Sequence, residues 1–323
     1  MQKIFIDGIA RSGTSFLSRL VNSFPETFIV GDGLRIAKEI LVDIEYINRR
    51  GRRYPVAMYK NKKINLQKPI LHPEAFAKTI HDEITMLENT IQASFPENAA
   101  TELRSYCKST ISENQSYAEF FQNFFAILAK TTQSQNIGTK TTHHSGYIRD
   151  YLSAWPDAKW IALIRDPRAN YASFKVSHKA SLYEFCRKRW NKNIKAVIKA
   201  VNDPEYAKRV LVLKYEDLML NSEKEVAKIA DFLNIEIAPA EHIKSLDFRR
   251  SDGTQWFQNT SFDKDDTVIK KDGWNVSNRP ICKYFDSQPV ERWKRILTKS
   301  EIRKIELLSA HAMKLVSYKK YNV

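Results

Sequence analysis

Near its start the chain runs from Lys3-Ile4-Phe5-Ile6, an apolar segment with the character of a strand, into Gly8-Ile9-Ala10-Arg11-Ser12-Gly13-Thr14-Ser15 and then a helical pattern. Strand, Gly-bounded loop and helix start, in that order, leave several backbone N–H groups facing one point, where the helix dipole adds roughly half a positive charge. An anion is the expected occupant. Gly8 and Gly13 have the spacing of the phosphate loop G-x-x-x-x-G-K-[ST], and Ser15 holds its Ser/Thr position. Thr14 stands where that pattern has lysine, while Arg11 brings positive charge inside the loop. Without the lysine, and with no evident carboxylate at a later strand end to hold magnesium, ATP would lack its usual clamp.

A second strand–turn–helix pattern lies in Ala158-Lys159-Trp160-Ile161-Ala162-Leu163-Ile164-Arg165-Asp166-Pro167-Arg168-Ala169-Asn170-Tyr171-Ala172-Ser173. The nearly continuous apolar run suits a parallel strand covered on both faces, and Pro167 suits the first turn of the next helix. Arg165 should therefore emerge at the strand's carboxyl end. Ser173 follows about two helical turns later, so a guanidinium fork and a hydroxyl could converge on a second phosphate. A buried structural Arg-Asp pair is the competing reading of the same residues.

Taken together, Arg11-Ser12-Gly13-Thr14-Ser15 and Ile164-Arg165-Asp166-Pro167-Arg168 with Ser173 resemble the sulfotransferase superfamily. Lys140-Thr141-Thr142-His143-His144 is similar to that family's lysine-containing turn. Trp155-Pro156-Asp157-Ala158-Lys159, Tyr215-Glu216-Asp217-Leu218, Asp231-Phe232-Leu233-Asn234-Ile235 and Arg292-Trp293-Lys294 match further landmarks in order. The resemblance implies transfer of a sulfuryl group from 3′-phosphoadenosine 5′-phosphosulfate to a hydroxyl or amine. It implies no metal. It assigns residues 11–15 (Arg11, Ser12, Gly13, Thr14, Ser15) to the 5′-phosphosulfate, and Arg165 and Ser173 to the 3′-phosphate. A ligand with phosphate at both ends of its ribose needs two sites, and the carboxyl edge of an open parallel sheet is where two such turns can face it.

By the same resemblance, Arg11 and Lys140 stabilise charge gathering on the leaving oxygen, since sulfuryl transfer, like phosphoryl transfer, requires positioning and cations rather than covalent help. The acceptor also needs a base. Gly31-Asp32-Gly33-Leu34-Arg35-Ile36 looks like the second-strand turn of protein-tyrosine sulfotransferases, Gly-Glu-Glu-Thr-Arg-Ile, which puts Asp32 at the basic glutamate, one methylene shorter. His143 and His144 are its rivals; cytosolic relatives carry histidine two residues after the lysine, whereas here the pair falls three and four after Lys140. Histidine titrates closer to neutrality than an ordinary Asp. A structural Asp32-Arg35 turn is the plainer alternative. Tyr215 corresponds to a cofactor-contacting tyrosine, or is simply a packed ring. Ser277 and Arg279 are the candidates for the family's C-terminal cofactor loop, although its Arg-Lys-Gly register is missing.

The expected fold is α/β: a P-loop-like parallel sheet flanked by helices, with strands near 3–6, 27–31, 136–140, 159–164 and 209–214. With 323 residues, 43% of them hydrophobic, and no Gly/Ser/Pro linker, the chain should form a single domain. Residues from about 35 to 135 carry no family landmark and form a mostly helical insertion to which acceptor choice is assigned. Within it, Phe120-Phe121-Phe124-Phe125-Leu128 recur at helical spacing and should be core.

An excess of 52 basic over 37 acidic residues gives a net charge of +15, a field that would attract a polyanionic ligand. The basic clusters 49–53, 60–63, 187–189 and 319–320 are expected to be solvated surface, and no nucleic acid is expected as partner. Cys107, Cys186 and Cys282 are far apart and odd in number, which argues for buried fillers in a reducing compartment. No leader precedes the first strand and no apolar run is long enough to span a bilayer, so a cytoplasmic protein without a transmembrane segment is expected. Two other function classes stay open: a P-loop-type nucleotide kinase or NTPase, and a non-catalytic basic anion-binding module. The acceptor class (peptide tyrosine, glycan, lipid or small alcohol) and the oligomeric state are left undecided by the sequence.

Overall fold

A computed structural model describes residues 1–31, 34, 36, 40, 64–89, 95–109, 114–178, 180–249, 253–256, 262, 265–268 and 284–321. Among them five strands, β1 (Gln2–Asp7), β2 (Thr27–Val30), β3 (Asn136–Lys140), β4 (Lys159–Ile164) and β5 (Val210–Lys214), form one sheet in the order β2-β3-β1-β4-β5. Every pairing is parallel. All five fall where the sequence reading puts them, to within a residue or so at each end.

The main helices are α1 (Thr14–Asn22), α2 (Pro73–Glu88), α3 (Glu97–Ser109), α4 (Tyr117–Thr132), α5 (Ile148–Ala154), α6 (Pro167–Ser177), α7 (Asn191–Val201), α8 (Tyr215–Leu220), α9 (Ser222–Leu233), and a C-terminal helix, Lys299–Leu315. Shorter helices lie at Pro239–Ser245, Gln288–Glu291 and Trp293–Ile296.

Strand alternation divides the core in two. Phe5 of β1, Ile137 of β3 and Trp160 of β4 face the layer made by α2, α3, α4, α5 and part of α7. Ile4, Ile6, Ile161, Leu163, Leu211 and Leu213 face α1, α8 and α9 on the other side. The phenylalanine stripe of α4 is fully buried, as its spacing requires. It reaches the sheet itself, with Phe125 lying edge-on to Phe5 at 6.1 Å. Part of the insertion therefore covers one face of the sheet. Helix α4 starts at a reciprocal cap in which Ser116 Oγ accepts from the Glu119 N–H and the Glu119 carboxylate accepts from the Ser116 N–H.

A third cluster lies at the carboxyl edge, where Ile164, Phe174, Phe185, Trp190 and Ile194 meet Ile302 and Ile305 of the C-terminal helix. The segment Glu184–Trp190 is a π-helical turn leading into α7. Trp190 and Asn191 both turn inward here. Cys107 and Cys186 are buried free thiols, and burial pushes them up to about 12 and about 11 respectively. Cys282 lies outside the described residues. No described helix is long and apolar enough to cross a membrane.

Candidate functional site

The strand order puts β1 between β3 and β4, so three carboxyl ends meet: the Gly8–Ser15 loop, the turn after Lys140, and the turn after Ile164. The loop after β1 is bent by two left-handed residues, Arg11 at φ 70° and Gly13 at φ 103°. A side chain at position 13 would force a shift, because a Cβ there would come within 2.6 Å of the Tyr215 ring. A non-glycine residue such as Arg11 adopts this conformation only where its surroundings enforce it.

Those surroundings come from both neighbouring strand ends. From the β3 side, His143 Nε2 accepts a hydrogen bond from the Ala10 N–H at 3.3 Å, and the His143 N–H donates to the Gly8 carbonyl at 3.0 Å. From the β4 side, Asn170 Nδ2 donates to the Ala10 carbonyl at 3.1 Å and Arg165 Nη1 to the Arg11 carbonyl at 3.0 Å. The Arg11 side chain then reaches across, its Nε donating to Ser173 Oγ at 3.1 Å. The two anion sites expected as separate are thus one continuous surface.

Lys140 ends β3 beside Ile6 of β1 and is almost completely buried. Its Nζ donates to Ser15 Oγ at 3.3 Å, in the first turn of α1. Burial pushes its ammonium down from the ordinary 10.5 to about 7, and the neighbouring charge of Asp7 holds it from falling further. His144 lies beneath the turn, 2% exposed, with its ring edge-on to Tyr147 at 6.0 Å.

Arg165 is itself tightly held. Its Nη2 donates to the Pro289 carbonyl at 2.8 Å, its guanidinium lies over the Tyr215 ring at 4.2 Å, and its own carbonyl accepts from Trp190 Nε1 at 2.8 Å. Tyr215, buried beside Gly13, therefore joins the two turns by packing, and burial pushes its hydroxyl pKa up. The Arg-Asp reading of this turn also holds, but with Arg168 rather than Arg165. Arg168 pairs with Asp166 and with Glu306 of the C-terminal helix, each at 2.6 Å. Glu216 accepts from the Asp166 N–H at 3.0 Å and from the Tyr318 hydroxyl at 2.7 Å. Burial, with the Asp166 charge adding to it, pushes its carboxyl up.

Of the residues singled out from sequence, Arg11, Ser12, Gly13, Thr14, Ser15, Lys140, His143, His144, Arg165, Ser173 and Tyr215 all gather at this edge. Asp32, Ser277 and Arg279 lie outside the described residues. Asp7, Asn170 and Trp190 were not foreseen. Asp7 alone gave a signal, an acid directly after the apolar Ile4-Phe5-Ile6. Two buried polar atoms in the loops, Ser12 Oγ and Arg165 Nε, have no hydrogen-bond partner among the described residues.

Residues 3–239 match the family described as "Sulfotransferase family". Over 243 residues the chain is 24% identical to protein-tyrosine sulfotransferase 1 of Danio rerio, a match that takes in 73% of this chain and 54% of that protein. The chain thus spans about half the length of that relative. Among solved structures, the sulfotransferase domain from the curacin biosynthetic pathway is similar with TM-score 0.54 at 17% identity, covering 98% of each chain. The sulfotransferase domain of the Synechococcus PCC 7002 olefin synthase is similar with TM-score 0.57 at 16% identity, covering 98% of this chain and 94% of that one. These likenesses establish the fold.

Proposed function

The chain belongs to the sulfotransferase family, and we propose that it transfers a sulfuryl group from 3′-phosphoadenosine 5′-phosphosulfate to a hydroxyl or amine acceptor by in-line displacement. The observation that carries this reading is the meeting of Arg11, on the loop after β1, with Ser173 of α6 at 3.1 Å, and of Lys140, at the end of β3, with Ser15 at 3.3 Å. The residues present fit such a donor. A left-handed loop with Gly13 at φ 103° and a following helix N-terminus make an anion cradle, and Ser12 Oγ and Arg165 Nε, which have no hydrogen-bond partner among the described residues, supply donors beside it.

When bound, the donor supplies the sulfuryl group and a bridging oxygen on which charge gathers as it leaves. Arg11 and Lys140 supply the facing cations, and each such donor is worth on the order of 3 kcal/mol, roughly a hundredfold in rate. Residues Ser12, Gly13, Thr14 and Ser15 hold the 5′ end, while Arg165 and Ser173 hold the 3′-phosphate. Tyr215 supports both through its packing. Ser277 and Arg279 complete the cofactor contacts in this reading. For the base that accepts the acceptor's proton, the engagement of His143 Nε2 by Ala10 and the burial of His144 favour Asp32. The acceptor is a peptide tyrosine, glycan, lipid or small alcohol, and the buried free thiols Cys107 and Cys186 suit a cytoplasmic setting.

Two measurements test this together. Calorimetry with 3′-phosphoadenosine 5′-phosphate should give saturable one-to-one binding without added metal, and transfer from labelled donor to a panel of those acceptors should identify the class. Tight ATP binding that needs magnesium, with no affinity for the 3′-phosphonucleotide, would instead support a P-loop kinase or NTPase. Steeply salt-dependent binding that does not discriminate the 3′-phosphate would support an anion-binding module.

A further inference from the structure

The carboxyl end of β1 carries an acid that the proposed chemistry leaves unused. Asp7 has no solvent exposure. Its carboxylate accepts from Thr141 Oγ1 at 3.2 Å, from the His144 N–H at 3.0 Å, from Ser145 Oγ and from the Gly8 N–H. Ser145 Oγ in turn accepts from Asn193 Nδ2 on α7, which leaves the serine proton for Asp7. Burial pushes the Asp7 carboxyl up from its usual range, and those four hydrogen bonds oppose the push.

A buried carboxylate is costly unless its surroundings satisfy it, so its retention calls for a reason beyond packing. Its donors supply one. Gly8 begins the phosphate loop, while Thr141, His144 and Ser145 belong to the turn that follows Lys140. One carboxylate thus fastens the two cationic loops to each other. Asparagine would replace it poorly, because it keeps one acceptor oxygen for donors that include the His144 and Gly8 N–H groups, which cannot accept from its Nδ2. Asp7 is also a negative charge acting on the Lys140 ammonium from an adjacent strand.

We propose that Asp7 is a positioning residue for sulfuryl transfer, its carboxyl group locking the Lys140 turn against the phosphate loop and so fixing Lys140 beside Ser15. The inference rests on the sulfotransfer reading for the meaning of Lys140, but the coupling of Asp7 to Lys140 can be measured without any donor. The titratable groups that the hydrogen bonds here involve besides Lys140 are Asp7 on β1, Arg11 on the loop, and His143 and His144 on the turn, while the same elements also carry Lys3 on β1, Arg19 on α1 and Lys192, Lys195 and Lys199 on α7. Helix α1 brings the hydroxyl of Ser15 and α7 the neutral amide of Asn193.

The test is Asp7→Asn. In protein labelled with ¹³C-lysine, with the Lys140 signal identified by its loss in Lys140→Met, the Lys140 ¹³Cε titration should move to lower pH by about one unit or more in Asp7→Asn. The alkaline limb of the kcat profile should move with it, lowering turnover at pH 8 by about tenfold, while affinity for 3′-phosphoadenosine 5′-phosphate changes much less. An unmoved Lys140 titration in folded Asp7→Asn overturns the inference. If wild-type protein fails to bind the 3′-phosphonucleotide, the sulfotransfer reading falls, and the titration still decides whether Asp7 governs Lys140. Should Asp7→Asn not fold, Ser145→Ala removes one donor from the carboxylate. It should lower kcat severalfold with KM for the donor nearly constant, and an unchanged kcat in that variant overturns the positioning role.

Discussion

Arg11 Nε donates to Ser173 Oγ at 3.1 Å, joining the loop after β1 to the helix after β4. Two side chains that a linear reading places at opposite ends of the donor are therefore in direct contact. Arg11→Ala should lower kcat/KM by roughly a hundredfold, about 3 kcal/mol. Ser173→Ala should cost about 1–2 kcal/mol. Because the two act partly through one bond, the double variant should lose less than the sum, with a coupling of about 0.5–1.5 kcal/mol in a double-mutant cycle. Full additivity would mean that the contact has no part in turnover.

Arg165 spends its guanidinium on the Arg11 carbonyl, the Pro289 carbonyl and the Tyr215 ring. Arg165→Ala should weaken binding of 3′-phosphoadenosine 5′-phosphate by about 1.5–3 kcal/mol, ten- to roughly 150-fold, in a folded protein. Lysine should not rescue it, since one ammonium cannot reach both carbonyls and stack on the ring. Calorimetry on both variants checks this, and wild-type affinity in either removes Arg165 from the site.

The position of Lys140 sets a pH dependence for ligand binding. Its ammonium falls to about 7 in the unliganded protein, so at pH 8 most molecules carry it neutral. A phosphate beside it favours the charged form, so binding at pH 8, where the nucleotide's phosphates are already ionised, should take up a fraction of a proton. Calorimetric enthalpies measured at pH 8 in buffers of different ionisation heat should therefore diverge. Lys140→Met should abolish the divergence.

Gly13→Ala should destabilise the fold and impair binding together. The new Cβ would meet Tyr215 Cδ2 at 2.6 Å, from a backbone at φ 103° that alanine resists. Strain of this kind is worth about 1–3 kcal/mol before any clash is relieved. A clear drop in Tm, with nucleotide affinity falling at a temperature where the variant is still folded, is the expected result.

Replacing Trp190 by phenylalanine removes the indole donor that reaches the Arg165 carbonyl at 2.8 Å. Leaving that buried acceptor unmet should cost about 1–3 kcal/mol. The loss should show in nucleotide affinity as well as in thermal stability, because the carbonyl belongs to the turn that aims Arg165. A purely structural effect, with affinity untouched, would separate the π-helical turn from the site.

The strands and their following loops were legible because each is written locally. The apolar runs Ile4-Phe5-Ile6 and Trp160-Ile161-Ala162-Leu163-Ile164, closed by Gly8 and by Asp166-Pro167, mark β1 and β4 to within a residue or so, whereas β3, Asn136–Lys140, carries Ile137 as its one large apolar residue. The burial of the α4 phenylalanines was equally open to inspection, since helical spacing alone puts them on one side. His143 was harder. Its spacing from Lys140 marks it as a candidate base, and the left-handed turn at φ 65° that sets its Nε2 against the Ala10 N–H has no local sign in the sequence. Asn170 and Trp190 were invisible as site residues, because what they do depends on backbone carbonyls far away in sequence.

The sequence by itself determined which segments are strands, which loops could hold an anion, and the cations those loops bring, because periodicity, glycine and proline act over a few neighbouring residues. Only the tertiary structure decided that β1 lies between β3 and β4, that Arg11 reaches Ser173, and that Asp7 is enclosed by the Lys140 turn. Those contacts join residues more than 130 positions apart, and they follow from how two hydrophobic faces of one sheet are covered, which no local pattern records.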